Sequence, residues 1–181
     1  MNNERESIEK LLMVENSRRN TDLVADLVVQ KPSLFGELIK IYLSNEEPVS
    51  RRAVWVADTV AEAFPDLLEP FIESMILKLP DFKHDGLKRN TLRMLSRHEI
   101  PEQQLGGLIK ICFDWLISSS ESVAVKVYAM DILYRISNFE PSLKKELSDS
   151  IEWRIQEGTP GFKAHGTKVL KKLYKEMYAS F

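Results

Sequence analysis

The sequence predicts an all-α solenoid of about five antiparallel helix pairs. Three observations carry that expectation: apolar residues recur at the helical period along nearly the whole chain, prolines stand near the starts of those patterns, and a faint repeat of about 37 residues marks every second one. No stretch alternates with the period of two that a half-buried strand needs.

In chain order, the patterns place helices at about 4–14, 20–30, 32–43, 48–64, 66–79, 86–98, 101–117, 121–137, 141–157 and 160–178. The first sets Ile8, Leu11 and Leu12 among charges, as the polar cap of a solenoid should. Pro32, Pro48, Pro65, Pro101, Pro141 and Pro160 fall where a missing N–H costs a helix least. The fifth helix carries the stripe Leu67, Leu68, Phe71, Ile72, Met75, Ile76, Leu79. The seventh carries Leu105, Leu108, Ile109, Cys112, Phe113, Leu116, and the tenth Phe162, Val169, Leu170, Leu173, Tyr174, Met177. Within the seventh, Gly106-Gly107 reads as a place of close packing against a neighbouring helix, and Ser118-Ser119-Ser120 as a cap for the helix that follows. The apolar end Met177-Tyr178-Ala179-Ser180-Phe181 is expected to fold back or to meet another chain. Connections of a few residues make consecutive helices antiparallel neighbours.

Each second helix opens on a base followed by a small residue. The segments are Arg51-Arg52-Ala53-Val54, Lys88-Arg89-Asn90-Thr91-Leu92, Lys126-Val127-Tyr128-Ala129-Met130 and Lys163-Ala164-His165-Gly166-Thr167. Lys88 to Lys126 spans about 38 residues and Lys126 to Lys163 about 37, the period of helical-pair repeats. The small residues Ala53, Thr91, Ala129 and Gly166 let helices approach closely, and apolar pairs such as Met94-Leu95, Ile132-Leu133 and Val169-Leu170 follow. On these segments the chain resembles the HEAT family of helical repeats, most closely in Glu121–Ala129 and Pro48–Ala53, over about residues 32–178. It departs from the family at Asn90, where a more apolar residue is usual, and around Thr159–Lys163, where a glycine loosens the helix start. The resemblance implies a right-handed α-α superhelix of the armadillo-like type with a curved binding surface, and no particular chemistry.

With 181 residues the chain fits a single domain, 1–181, that needs no disulfide or metal to hold its core. Apolar residues at 44% and charged residues at 29% exclude a wholly disordered chain. A formal charge of −2 supplies no global attraction to nucleic acid or anionic lipid, so any such binding must be local. One cysteine, Cys112, lies inside an apolar stripe and reads as a buried thiol in a reducing, cytoplasmic setting. No apolar run is long enough for a membrane span or a secretion signal, so no membrane partner is expected.

No convergent catalytic set emerges, and no motif calls for a cofactor. His84, His98 and His165 lack second ligands at helical spacing and read as surface or cap residues, not as a metal site. Asp58 and Glu62, one turn apart, need an intervening base, for which Arg51 or Arg52 is at hand, while Asp131 and Arg135 are spaced as an ion pair. Trp55 and Asp58 form an aromatic and acidic pair able to hold a cationic or aromatic ligand. At that level the chain is similar to HEAT-like DNA glycosylases that excise alkylated bases, which use tryptophans, an aspartate and arginines. Packing of Trp55 between repeats is the favoured reading, and neither residue takes a catalytic role.

The sharper signal is basic. Arg89, Arg93 and Arg97 follow at i, i+4, i+8 with Lys88 beside them, and Lys168, Lys171, Lys172 and Lys175 line the last helix. If second helices line a concave surface, both ridges face a phosphate or an acidic partner. The expected function is therefore a non-catalytic scaffold that binds a protein partner through the curved face. A nucleic-acid-binding or DNA-base-repair protein is the alternative, and a small-molecule enzyme the third.

Overall fold

The computed structural model describes residues 2–178. Among them the chain folds into ten α-helices and three short 3₁₀ turns, with no strand, as the apolar periodicity predicts. It divides into two compact units, residues 1–101 and 102–181.

In the first unit, α1 (Asn2–Val14), α2 (Arg18–Gln30), α3 (Ser33–Leu43) and α4 (Val49–Ala63) are followed by a broken stretch and α6 (Asp85–Leu95). Helix α4 is the hub, packing on α1, α2, α3 and α6. Its sequence explains this: Ala53, Ala57 and Ala61 recur every four residues and are essentially inaccessible, so neighbouring backbones approach closely while Val54, Val56 and Val60 fill the space between them. Tyr42 of α3 lies against Phe82 with ring centres 5.6 Å apart and its hydroxyl 2.5 Å from Thr91 Oγ1 of α6. Because the Thr91 hydroxyl donates to the Leu87 carbonyl, it accepts from Tyr42, whose phenol burial holds far above its ordinary pKa. The first helix buries Ile8 and Leu12 and leaves Leu11 partly exposed.

The predicted helix over 66–79 is a correction. Its stripe is in place, with Leu68, Ile72, Met75, Ile76 and Leu79 buried, but only α5 (Ile72–Lys78) is α-helical. Pro65–Leu67, Glu69–Phe71 and Leu79–Asp81 are 3₁₀ turns, each containing a proline. Pro70 and Pro80 withhold the N–H that an α-helix needs in its interior. The other prolines sit as expected: Pro32 and Pro48 immediately precede α3 and α4.

The second unit consists of α7 (Glu102–Ile117), α8 (Val123–Ile136), α9 (Leu143–Ile155) and α10 (Pro160–Tyr178). Helix α7 packs on α8 and α9, and α10 on both α8 and α9. The small residues of the repeat do what the pattern implies: Ala129 is fully buried, and a methyl on buried Gly166 would stand 3.0 Å from Ile151 of α9. Gly106 and Gly107 do not. Both are exposed, and an added methyl would meet nothing within 4 Å, so close packing is not why glycine stands there. In the serine run, Ser118 Oγ accepts from the N–H of Ser120 and Glu121, shaping the turn, while Ser122 takes the N-cap position of α8 without a side-chain bond. Of the apolar end, Tyr178 is exposed, and residues 179–181 lie outside the described residues.

Candidate functional site

The basic ridge exists, with Lys88, Arg89 and Arg93 on α6 and Arg97 in the turn beyond its end at Leu95, but most of its charge is spent inside the first unit. Arg93 Nη1 lies 3.2 Å from Asp58 Oδ2, Arg97 Nη2 2.5 Å from Asp58 Oδ1, and the two guanidiniums also reach Glu62 at 3.0 and 3.5 Å. These arginines, one repeat away in sequence, are the bases that the Asp58 and Glu62 pair requires. Arg51 and Arg52 are not: Arg51 turns to Glu47 and His84, and Arg52 donates to the Leu12 carbonyl. The Asp58 side chain is 3% exposed with both oxygens engaged. Burial raises its carboxyl above the ordinary carboxylate range against the pull of Arg93 and Arg97.

Arg89, the first residue of the ridge, is exposed and joins no ion pair among the described residues. It opens instead onto a cleft of about 340 Å³ with Arg51 and half-buried Trp55 from α4, and with His84, Asp85 and Asn90. Trp55 thus lines a cleft with arginines, while Asp58 one turn on is locked to Arg93 and Arg97. Lys88 is half-buried. The histidines take separate local roles. His84 accepts from the Gly86 N–H at the start of α6, as a cap should. His98 is buried, its ring nitrogens facing the Met94 and Pro65 carbonyls, and His165 Nε2 bonds Asp131 at 2.7 Å.

In the second unit Lys168, Lys171, Lys172 and Lys175 are all exposed, with Lys172 lying 5.1 Å from the centre of the Tyr134 ring. The bonds around them are made by other groups: Tyr134 donates to Glu176, Tyr174 to Glu152, and Lys144 pairs with Glu176 at 2.8 Å. Tyr134 is pushed up to about 12, chiefly by its bond to the Glu176 carboxylate. A smaller cleft of about 310 Å³ is lined by Lys126, Arg154, Glu121 and Thr159. Lys126 is buried there, and burial followed by the nearby Arg154 charge lowers its ammonium pKa.

The model described as a HEAT repeat domain matches residues 8–173. The chain belongs to the HEAT repeat family. No curated protein and no solved structure matches it. HEAT repeats are helical scaffolds that commonly mediate protein interactions. Among the described residues of this HEAT-repeat protein, no helix is long and apolar enough to cross a membrane.

Sequence reasoning missed Arg51, His84 and Asn90 as companions of Trp55. Two signals were available: Arg51 precedes Trp55 by one helical turn, and Arg89 follows Arg51 by one repeat, which places both on adjacent second helices. The HEAT-repeat departure at Asn90 marked the same spot.

Proposed function

We propose that this HEAT-repeat protein is a non-catalytic interaction scaffold that binds a protein partner through the second-helix face of its first unit. The observation that carries the reading is how the charge is spent: Asp58 and Glu62 neutralise Arg93 and Arg97, so a continuous phosphate track is interrupted there, while half-buried Trp55 stays open between Arg51 and Arg89. Tryptophan and arginine are the residues that most often dominate protein interfaces. The setting expected for its buried thiol is the cytoplasm.

Affinity capture from source cells tests the reading. The wild type should retain a stoichiometric protein partner that the doubly substituted Trp55→Ala, Arg89→Glu variant loses at unchanged helicity. Failure of any protein to co-purify, together with duplex DNA binding that weakens steeply with salt, would favour a nucleic-acid role.

A DNA-base-repair role is the second reading, and one observation favours it: a buried carboxylate and a tryptophan one turn apart on α4 face Arg93 of α6 and Arg97 just beyond it. Against it, Asp58 has no free oxygen to offer a substrate. Release of alkylated bases from duplex DNA, abolished by Asp58→Asn, would establish this role in place of the scaffold.

A further inference from the structure

The cleft beside Trp55 sets two guanidiniums, Arg51 and Arg89, against one carboxylate, Asp85. Arg89 joins no ion pair among the described residues, and Arg51 meets Glu47 only at 3.5 Å. Arg51 Nη1 also lies 2.9 Å from His84 Nε2, while His84 Nδ1 accepts from the Gly86 N–H at 2.9 Å. A neutral imidazole accepts at one nitrogen only. With Nδ1 accepting, Nε2 carries its hydrogen, and two donors point at each other with no acceptor between them.

Asn90 adds a third observation. It is 6% exposed, makes no side-chain hydrogen bond among the described residues, and lines this cleft. Its amide atoms are not sealed from solvent, so they open onto the cleft, where a ligand can reach them. Its position in the repeat is one that would ordinarily be apolar, so the polar group stands where packing alone does not ask for it.

We propose that this cleft anchors an acidic peptide segment of the partner. An aspartate or glutamate carboxylate is received by Arg51, Arg89 and Asn90, and an apolar neighbour lies against the Trp55 indole. A bare inorganic anion would leave the indole unused. A polyanion such as DNA would meet Asp58 and Glu62 one turn along as well as Asp85 of the cleft, whereas a single carboxylate meets one carboxylate, Asp85, against two guanidiniums and the Asn90 amide. The proposal rests on the scaffold reading and names the chemistry of the partner.

The test uses the full chain carrying Trp115→Phe and Trp153→Phe, so that Trp55 is the sole indole. A short peptide alternating glutamate and leucine is titrated against its glutamine–leucine counterpart, inorganic phosphate and a DNA duplex. The glutamate peptide should shift Trp55 emission saturably and the glutamine peptide should not. Arg89→Ala and, separately, Asn90→Leu should each weaken binding about tenfold, and Lys168→Ala should leave it unchanged. Equal binding of the glutamine peptide, or full affinity in Arg89→Ala, overturns the proposal. So does phosphate alone binding as tightly as the peptide, which would make the cleft a free-anion site, or duplex DNA binding that the same variants abolish. If the glutamate peptide fails while affinity capture still yields a partner that the Trp55→Ala, Arg89→Glu variant loses, the proposal falls and the scaffold reading stands. If capture yields no partner at all, the scaffold reading falls with it.

Discussion

The two units spend their charge in opposite ways. In the first, a buried carboxylate on α4 draws Arg93 of α6 and Arg97 of the turn after it into a network that ties adjacent second helices together. In the second, the lysines of α10 stay exposed, and the ties between helices run through Tyr134 and Tyr174 to glutamates and through the pairs Lys144–Glu176 and His165–Asp131. A basic ridge read from spacing alone is therefore two different objects: an internal fastening next to a cleft in one unit and a solvated surface in the other. What separates them is the partner across the groove. The α4 helix offers Asp58 and Glu62, whereas Asp131, the acid on α8, is taken by His165.

The contrast can be broken or sharpened by measurement. The largest effect is expected at Asp58→Ala, which leaves Arg93 and Arg97 to share the exposed Glu62. Unfolding free energy should fall by about 2–3 kcal/mol in urea titrations, less than for a fully buried pair because both arginines are about a third exposed. A loss below about 0.5 kcal/mol would mean that the two units do not differ in this respect. Gly166→Leu should cost about 2 kcal/mol by overpacking against Ile151, locating the rigid part of the second unit in its core and not in its charges. Tyr134→Phe, which removes the bond to Glu176, should cost only about 1 kcal/mol.

The pH response should distinguish the units as well. Because burial raises the Asp58 carboxyl above its ordinary value of 3.8, the folded state holds that proton more tightly than the unfolded state. Its contribution is present below pH 3.8 and is lost as the pH rises through the folded value. Asp58→Asn should therefore gain stability relative to the wild type as the pH rises through the carboxylate range. The smallest expected effect has the opposite sign to the first: Gly106→Ala, in open space on α7, should stabilise by about 0.5–1 kcal/mol in thermal or urea unfolding.

Much of the fold was legible residue by residue. The apolar stripes of α7 and α10 and the prolines ahead of α3 and α4 depend on neighbours within a few residues, so periodicity and helix-start chemistry locate them. The stripe over 66–79 was legible as buried but not as broken, since Pro70 acts on the backbone while leaving the apolar spacing intact. Gly106 and Gly107 were misread because a glycine in a helical stripe looks the same whether a helix packs on it or water does. Half of the candidate site was visible: Trp55 and the α6 arginines stood out, but their partition into a fastening and a cleft did not.

By itself, the sequence determined an all-helical chain of HEAT-type repeats, because helix periodicity, proline positions and small residues at close approaches are local properties that the repeat multiplies. Only the tertiary structure decided which charges remain available. Whether Arg89 is open and Arg93 closed depends on which carboxylate stands across the groove some 35 residues away in sequence. Electrostatic pairing follows distance in space, and Arg89 and Arg93 of α6 and Arg97 in the turn after it are chemically alike until α4 is packed beside them.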